Sequence, residues 1–321
     1  MKSEILRICS LIALITLASA LAGRAQERFV FMPQWTAQAQ FAGYYVAQEK
    51  GFYREAGIEV DIVHPTSTQP ALNRILNNQC HATTLQLCQA MEIIDEGVPL
   101  VNILQTSMNN AMVIVSAQNV NPLTQKGARV GIWSVRFGQL ARCMVNKEKL
   151  NYEWIPAANP INLFVAGALD ATLAMSYNEY YQLIQAGRQL SEKNVYRFCD
   201  HGYNIQEDGV YMTYDYYVSH KEQARKFAEA SRRGWEWAAA HPDEAIIVVS
   251  KYVKHHRSAT NREQQELMLR EVLRLQVDRE SKKREFRLRP DMVKQASQLM
   301  VENGMLSREI KYEELIERSQ K

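Results

Sequence analysis

The feature that most constrains this chain is a rhythm of strand-like and helix-like stretches that runs, stops and starts again. "RFVFMP" (28–33), "IEVDIVHP" (58–65), "HATTLQ" (81–86), "LVNILQTSM" (100–108) and "NAMVIVSAQ" (110–118) are short, β-branched and partly alternating, and read as strands. Between them lie "GFYREAG" (51–57), which ends a helix on Gly57, then "QPALNRILNNQ" (69–79) and "CQAMEIIDEG" (88–97), both of helical pattern. After the turn-rich "NVNPLTQKG" (119–127) the rhythm resumes. Strands are expected at 128–134, 152–158 and 170–176, and helices at 136–150, 160–169 and 178–187. Strand-helix alternation implies mostly parallel sheets covered by helices, and two such runs imply an α/β chain of two lobes. "VYMTYDYYVS" (210–219) reads as one more strand. It leads into helices from Lys221 to about Gln276 and from Pro290 onward, expected to return over the first lobe.

The N-terminus bounds where such a chain works. Lys2 and Arg7 precede the apolar run Ile8 to Ala22, and "ASALAGRAQ" supplies small residues at its exit. That is the pattern of a cleaved signal peptide, assigned here to residues 1–25, and it implies export to the periplasm. Removing it takes away a net +2 and leaves about +1 of the formal +3. A near-neutral mature protein offers no electrostatic footprint for nucleic acid. Cys80, Cys88, Cys143 and Cys199 remain, too few for a disulfide scaffold. No C-x-x-C is present and the His255-His256 pair has no cysteine at zinc-site spacing, so neither a metal nor a cofactor is expected.

Open α/β sheets bind ligands beyond the carboxyl ends of their strands. That rule picks out Gln34 and Trp35 after the first strand, and Thr83 to Gln86, including Thr84, after the third. It also picks out Ser134, Phe137 and Gly138 at one strand-to-helix turn, and Asn178 and Glu179 at another. Each has a plainer role. Trp35 could plug a surface, Ser134 and Asn178 could cap helices, and Glu179 could complement a helix dipole. Tyr211, Tyr214, Tyr216 and Tyr217 could be cross-strand packing. Their coincidence at one predicted edge is what raises the functional reading.

"WTAQAQFAGYYVAQEKGFYREAGIEVDIV" carries a resemblance. Trp35, Gly43, Tyr45-Val46-Ala47, Lys50-Gly51-Phe52-Tyr53, Gly57-Ile58 and Val60 match an opening signature without a gap. It resembles the family that joins pyrimidine-precursor binding proteins of ABC importers with fungal thiamine-pyrimidine synthases. "HPTSTQPALNRILNNQCHA", "GALDATLAMSYNEYYQL" and "VENGMLSREIKYEELI" resemble later blocks of the same family. The resemblance implies the two-lobed periplasmic-binding-protein type II fold. The expected division is a first lobe over 26–116, a second over 117–212, and a helical return to the first over 213–321. Hinges are expected near Val115 to Gln118 and Tyr211 to Tyr214.

Two departures matter. Phe41 stands where the pyrimidine-related members carry a histidine, six residues after the tryptophan. The synthases carry a cysteine-rich run where this chain has "DHGYNIQEDGVYMTY". Self-consuming synthase chemistry therefore lacks its parts, and no catalytic residue is assigned. The expected function is a monomeric binding component that delivers a small aromatic heterocycle, such as a thiamine pyrimidine precursor, to an ABC permease in the inner membrane. Trp35 would stack on the ring, with Phe41 or Tyr44 walling it. Asn178 and Glu179 would bond its amine or ring nitrogen, and Ser134 with the N–H groups after it would take a polar substituent. The rival readings are a sulfonate-like or other small organic ligand, a periplasmic sensor subunit, and the synthase enzyme.

Overall fold

The computed structural model describes residues 28–66, 68–134 and 137–316. The expected signal peptide lies outside them. Two five-stranded sheets form the scaffold. The first combines β1 (Phe29–Met32), β2 (Val60–Ile62), β3 (Ala82–Gln86), β4 (Leu100–Gln105) and a late strand, β10 (Asp208–Thr213), in the order β2-β1-β3-β10-β4. The second combines β5 (Met112–Ser116), β6 (Arg129–Ile132), β7 (Glu153–Pro156), β8 (Ala171–Met175) and β9 (Val195–Arg197), in the order β7-β6-β8-β5-β9. The late strand, β10 (Asp208–Thr213), is antiparallel to both its neighbours, as β5 is in the second sheet. The other four strands of each sheet run together, so the expectation of mostly parallel sheets holds.

In each sheet the odd strand is the one that arrives from the other lobe. β5 follows the first crossing, at 106–111, and β10 ends the second, at 201–207. Both crossings come earlier than the hinges expected near Val115–Gln118 and Tyr211–Tyr214. The boundaries at 116 and 212 put β5 and most of β10 with the wrong sheet. Alternation identifies a strand but not the sheet it joins. The better marker is the polar interruption "SMNN", whose Asn109 and Asn110 break an apolar run. The crossings are tied to each other: Asn110 Nδ2 and the Ala111 N–H both donate to the buried Glu207 carboxylate, each at 2.9 Å.

Helices cover the sheets. They are α1 (Ala42–Glu49), α2 (Phe52–Glu55), α3 (Ala71–Leu76), α4 (Leu87–Asp95), α5 (Gln139–Lys147), α6 (Pro160–Val165) and α7 (Glu179–Gln185). The stretch 214–219, expected as strand, is instead α8 (Tyr214–Ser219). The Tyr216 ring stacks on His220 at 3.9 Å, an i to i+4 pairing that a helix provides and a strand does not. Then come α9 (Lys221–Ala240), α10 (Pro242–His255), α11 (Arg262–Leu275), α12 (Pro290–Glu302) and α13 (Tyr312–Leu315). α9 and α10 lie on α1 in the first lobe, as expected. α11 and α12 do more than return: α11 touches both the 39–41 turn and α7, and α12 touches both α4 and α5. The lobes are therefore braced from two sides.

Candidate functional site

A cavity of about 390 Å³ opens between the lobes where the carboxyl ends of both sheets face each other. The first lobe contributes Gln34 and Trp35 after β1, Gln38 and Gln40 before α1, and Gln86, Gln89 and Glu92 from the start of α4. The second contributes Trp133, Ser134 and Phe137 after β6, and Tyr177, Asn178 and Glu179 after β8. Of the ten residues singled out from sequence, six line this space: Gln34, Trp35, Ser134, Phe137, Asn178 and Glu179.

The other four have structural places. Phe41 and Tyr44 do not wall the cavity. Both are buried in the first-lobe core, where Tyr44 lies against Phe31, Phe227 and Trp235. Their spacing with Tyr45, i, i+3 and i+4, is the core face of a helix. Thr84 is buried and accepts the Gln34 N–H through its hydroxyl at 2.9 Å, which fixes the chain just before Trp35. Gly138 is the residue before α5, at φ +83°, and a Cβ there would meet the Leu173 side chain at 2.7 Å. Glycine thus serves both conformation and packing at that turn. It, not Ser134, occupies the N-cap position of α5.

Trp35 remains 43% exposed, an unusual state for so large an apolar group and one that leaves its face open to the cavity. Its loop is held from behind. His64 Nδ1–H donates to the Trp35 carbonyl at 2.6 Å, and the Tyr45 hydroxyl lies 2.8 Å from His64 Nε2. Burial lowers the His64 pKa to about 4, against the opposing pull of the Trp35 carbonyl, so the imidazole is neutral. Across the cavity Trp133 and Phe137 meet edge to face at 4.8 Å.

The polar side of the site is a network of amides ending on carboxylates. Gln38 Nε2 donates to Gln40 Oε1 at 2.6 Å. Gln40 Nε2 and Gln34 Nε2 in turn donate to the two oxygens of Asp208, at 2.6 and 2.9 Å. Burial raises the Asp208 pKa to about 6, opposed by those two amides. The glutamines of the 34–40 stretch thus position one another over a buried acid. Opposite them, Glu179 receives the Met175 N–H at 3.0 Å and Asn178 Nδ2 at 2.8 Å. Burial raises its pKa to about 7, opposed by the Met175 N–H, its own N–H and the Asn178 amide. Asn178 is held in turn by Gln264 of α11, whose Nε2 reaches both its carbonyl and its side-chain oxygen at 3.0 Å. Gln139 Nε2 donates to Glu92 at 2.8 Å across the lobes. Among the described lining residues the carboxyl groups are those of Glu92 and Glu179, with no lysine, arginine or histidine beside them.

Sequence reasoning missed Trp133, Tyr177, Asp208, His64 and Gln264. Trp133 could have been found beside Ser134 at the end of its strand. Asp208 and Gln264 carry no local signal, because they meet the site only through chain crossings.

A family model described as NMT1/THI5 like matches residues 38–245, well over half of the 321-residue chain. The protein belongs to the NMT1/THI5-like family. Among relatives of this NMT1/THI5-like chain is a formylaminopyrimidine-binding protein of Halalkalibacterium halodurans, 25% identical over 260 residues that span 75% of this chain and 77% of the relative. The fold is shared with the ligand-binding component of an ABC-type import system from Staphylococcus aureus, solved with zinc bound. That match has a TM-score of 0.67, with 8% identity, over 92% of this chain and 97% of the other. It is shared also with the periplasmic aliphatic sulphonate binding protein SsuA from Escherichia coli, at a TM-score of 0.65 and 12% identity over 91% and 98%. The molecule has the two-lobed α/β fold of periplasmic solute-binding proteins. Among the described residues no helix is long and apolar enough to cross a membrane.

Proposed function

We propose that this protein is the periplasmic substrate-binding component of an ABC importer and that it takes a small, flat, amine-bearing heterocycle, such as a thiamine pyrimidine precursor, between its lobes. The observation that carries this reading is the pairing of aromatic faces with acidic acceptors. Trp35, Trp133 and Phe137 line one cavity together with Glu92 and Glu179. A ring with exocyclic amines needs both, a π face to stack on and carboxylate or amide oxygens to receive its N–H donors. The volume, about 390 Å³, is at the small end of the roughly 300–1,000 Å³ span of ligand sites and suits a single-ring solute. The name of the formylaminopyrimidine-binding relative supports the same ligand class. The lobes would close on the ligand, and the closed, loaded form would dock on the permease.

Native mass spectrometry of protein purified without denaturation tests the reading. A released ligand that is an aromatic nitrogen heterocycle, recovered chemically unchanged, is the expected result. A sulfonate or another small anion in its place would overturn the ligand class. A chemically altered product formed by the protein alone would replace binding with catalysis.

A further inference from the structure

The segment 175–181 is a wall between two cavities. Met175, Tyr177, Asn178 and Glu179 face the interlobe cavity, while Ser176, Tyr180 and Tyr181 line a second one of about 380 Å³ behind it. This second space is bounded by Asn110 and Ala111 of the first crossing, by Arg197 at the end of β9, and by Glu271 and Arg274 of α11. Three guanidiniums converge there with two carboxylates. Arg274 is spent on Glu271, with two hydrogen bonds of 2.7 Å, and Arg279 on Asp200, at 3.0 Å. Burial pushes both carboxyls up, but the hydrogen bonds from Arg279 to Asp200, and from Arg274 and Ser176 to Glu271, outweigh it and keep both below the ordinary range. Both acids therefore stay ionised, and the three guanidiniums exceed the two carboxylates by one positive charge.

The third arginine is Arg197. Among the described residues it forms no close ion pair; it attracts Asp200 and Glu271 through space and lies over the Tyr180 ring, 4.7 Å from the centroid. Its guanidinium lines the cavity and brings a fork of N–H donors to it, an arrangement suited to a planar or tetrahedral oxyanion. We propose that this rear cavity is a binding site for a small oxyanion, a carboxylate or a phosphate group, held by Arg197. Its occupant would join β9, the first crossing and α11. The proposal does not rest on the identity of the ligand in front.

Thermal unfolding of the ligand-free protein, titrated with inorganic phosphate in one arm and acetate in another, tests it. Sodium chloride holds the ionic strength constant throughout. A ligand that binds only the folded state raises Tm in a saturable way. The expected result is such a rise with at least one anion, the responsive arm telling phosphate from carboxylate, and at least a tenfold loss of that affinity in Arg197→Ala. Arg197→Gln serves equally if the alanine variant does not fold. A wild-type protein that responds to both anions as it does to chloride would overturn the proposal, and so would an unchanged response in the variant.

Discussion

Glu179 is where residue-scale chemistry bears most on function. Its pKa in the folded protein is about 7, raised chiefly by burial, whereas an unfolded chain ionises it near 4.5. Between those values the folded state keeps a proton that the unfolded state has lost. Stability from this group is therefore fully present below the unfolded value and is lost as pH rises through about 7. Asp208, at about 6, acts with the same sign. Urea unfolding of the ligand-free protein at pH 5 and pH 8 should show a loss on going to pH 8 that is smaller in Glu179→Ala by roughly 1–3 kcal/mol. Equal losses in the two proteins would contradict the burial of this carboxyl. At this scale the sequence was half legible. Trp35 and Glu179 stood out because each follows a strand, where the fold exposes side chains to a shared edge. Phe41 and Tyr44 misled because aromatic character does not tell a ring that waits for a ligand from one that fills a helix contact.

At the scale of elements, the α1–α9 contact carries the first lobe. Gly43 and Gly234 let the two helices approach so closely that a Cβ on Gly43 would come within 2.2 Å of the Trp235 ring, and one on Gly234 within 2.0 Å of the Gly43 carbonyl oxygen. Trp235 is fully buried and has no room to yield. Gly43→Ala should thus cost about 1–3 kcal/mol or more through overpacking, read as a fall in the urea midpoint, although alanine favours a helix. An unchanged midpoint would show that the helices can separate freely. α11 is the second decisive element. It receives the Ala39 N–H on Gln265 at 2.6 Å, grips Asn178 through Gln264, and takes the Ser176 hydroxyl on Glu271 at 2.7 Å. Gln264→Ala should weaken ligand binding about fivefold or more, since each of the two hydrogen bonds it removes from Asn178 is worth about 1 kcal/mol. The expected signature in calorimetry is a weaker site on a protein whose melting temperature falls by only a few degrees. The amphipathic pattern of α11 announced a helix but not that it would reach both lobes, since such reach is set by the crossings and not by local periodicity.

For the whole molecule, the alternation of strands and helices was enough to foresee two α/β lobes with mostly parallel sheets and a helical return. Which sheet β5 and β10 would join was not foreseeable from alternation, because a strand reads the same in either. The consequence is functional: Glu207, which ties the crossings, is followed by Asp208, which receives the amides of Gln34 and Gln40 from the cavity wall. On the proposed function, this cavity holds an amine-bearing ring between Trp35 and Glu179. Calorimetric titration of the protein at pH 8 with a formylaminopyrimidine, beside Trp35→Ala and Glu179→Gln, decides it. Stacking is worth roughly 1–3 kcal/mol and, at pH 8 where Glu179 is ionised, a hydrogen bond to its carboxylate about 1.5–3. One-to-one binding that weakens about tenfold or more in each variant is the predicted result, at about 1.4 kcal/mol per decade. Binding as tight in Glu179→Gln as in the unaltered protein would contradict it.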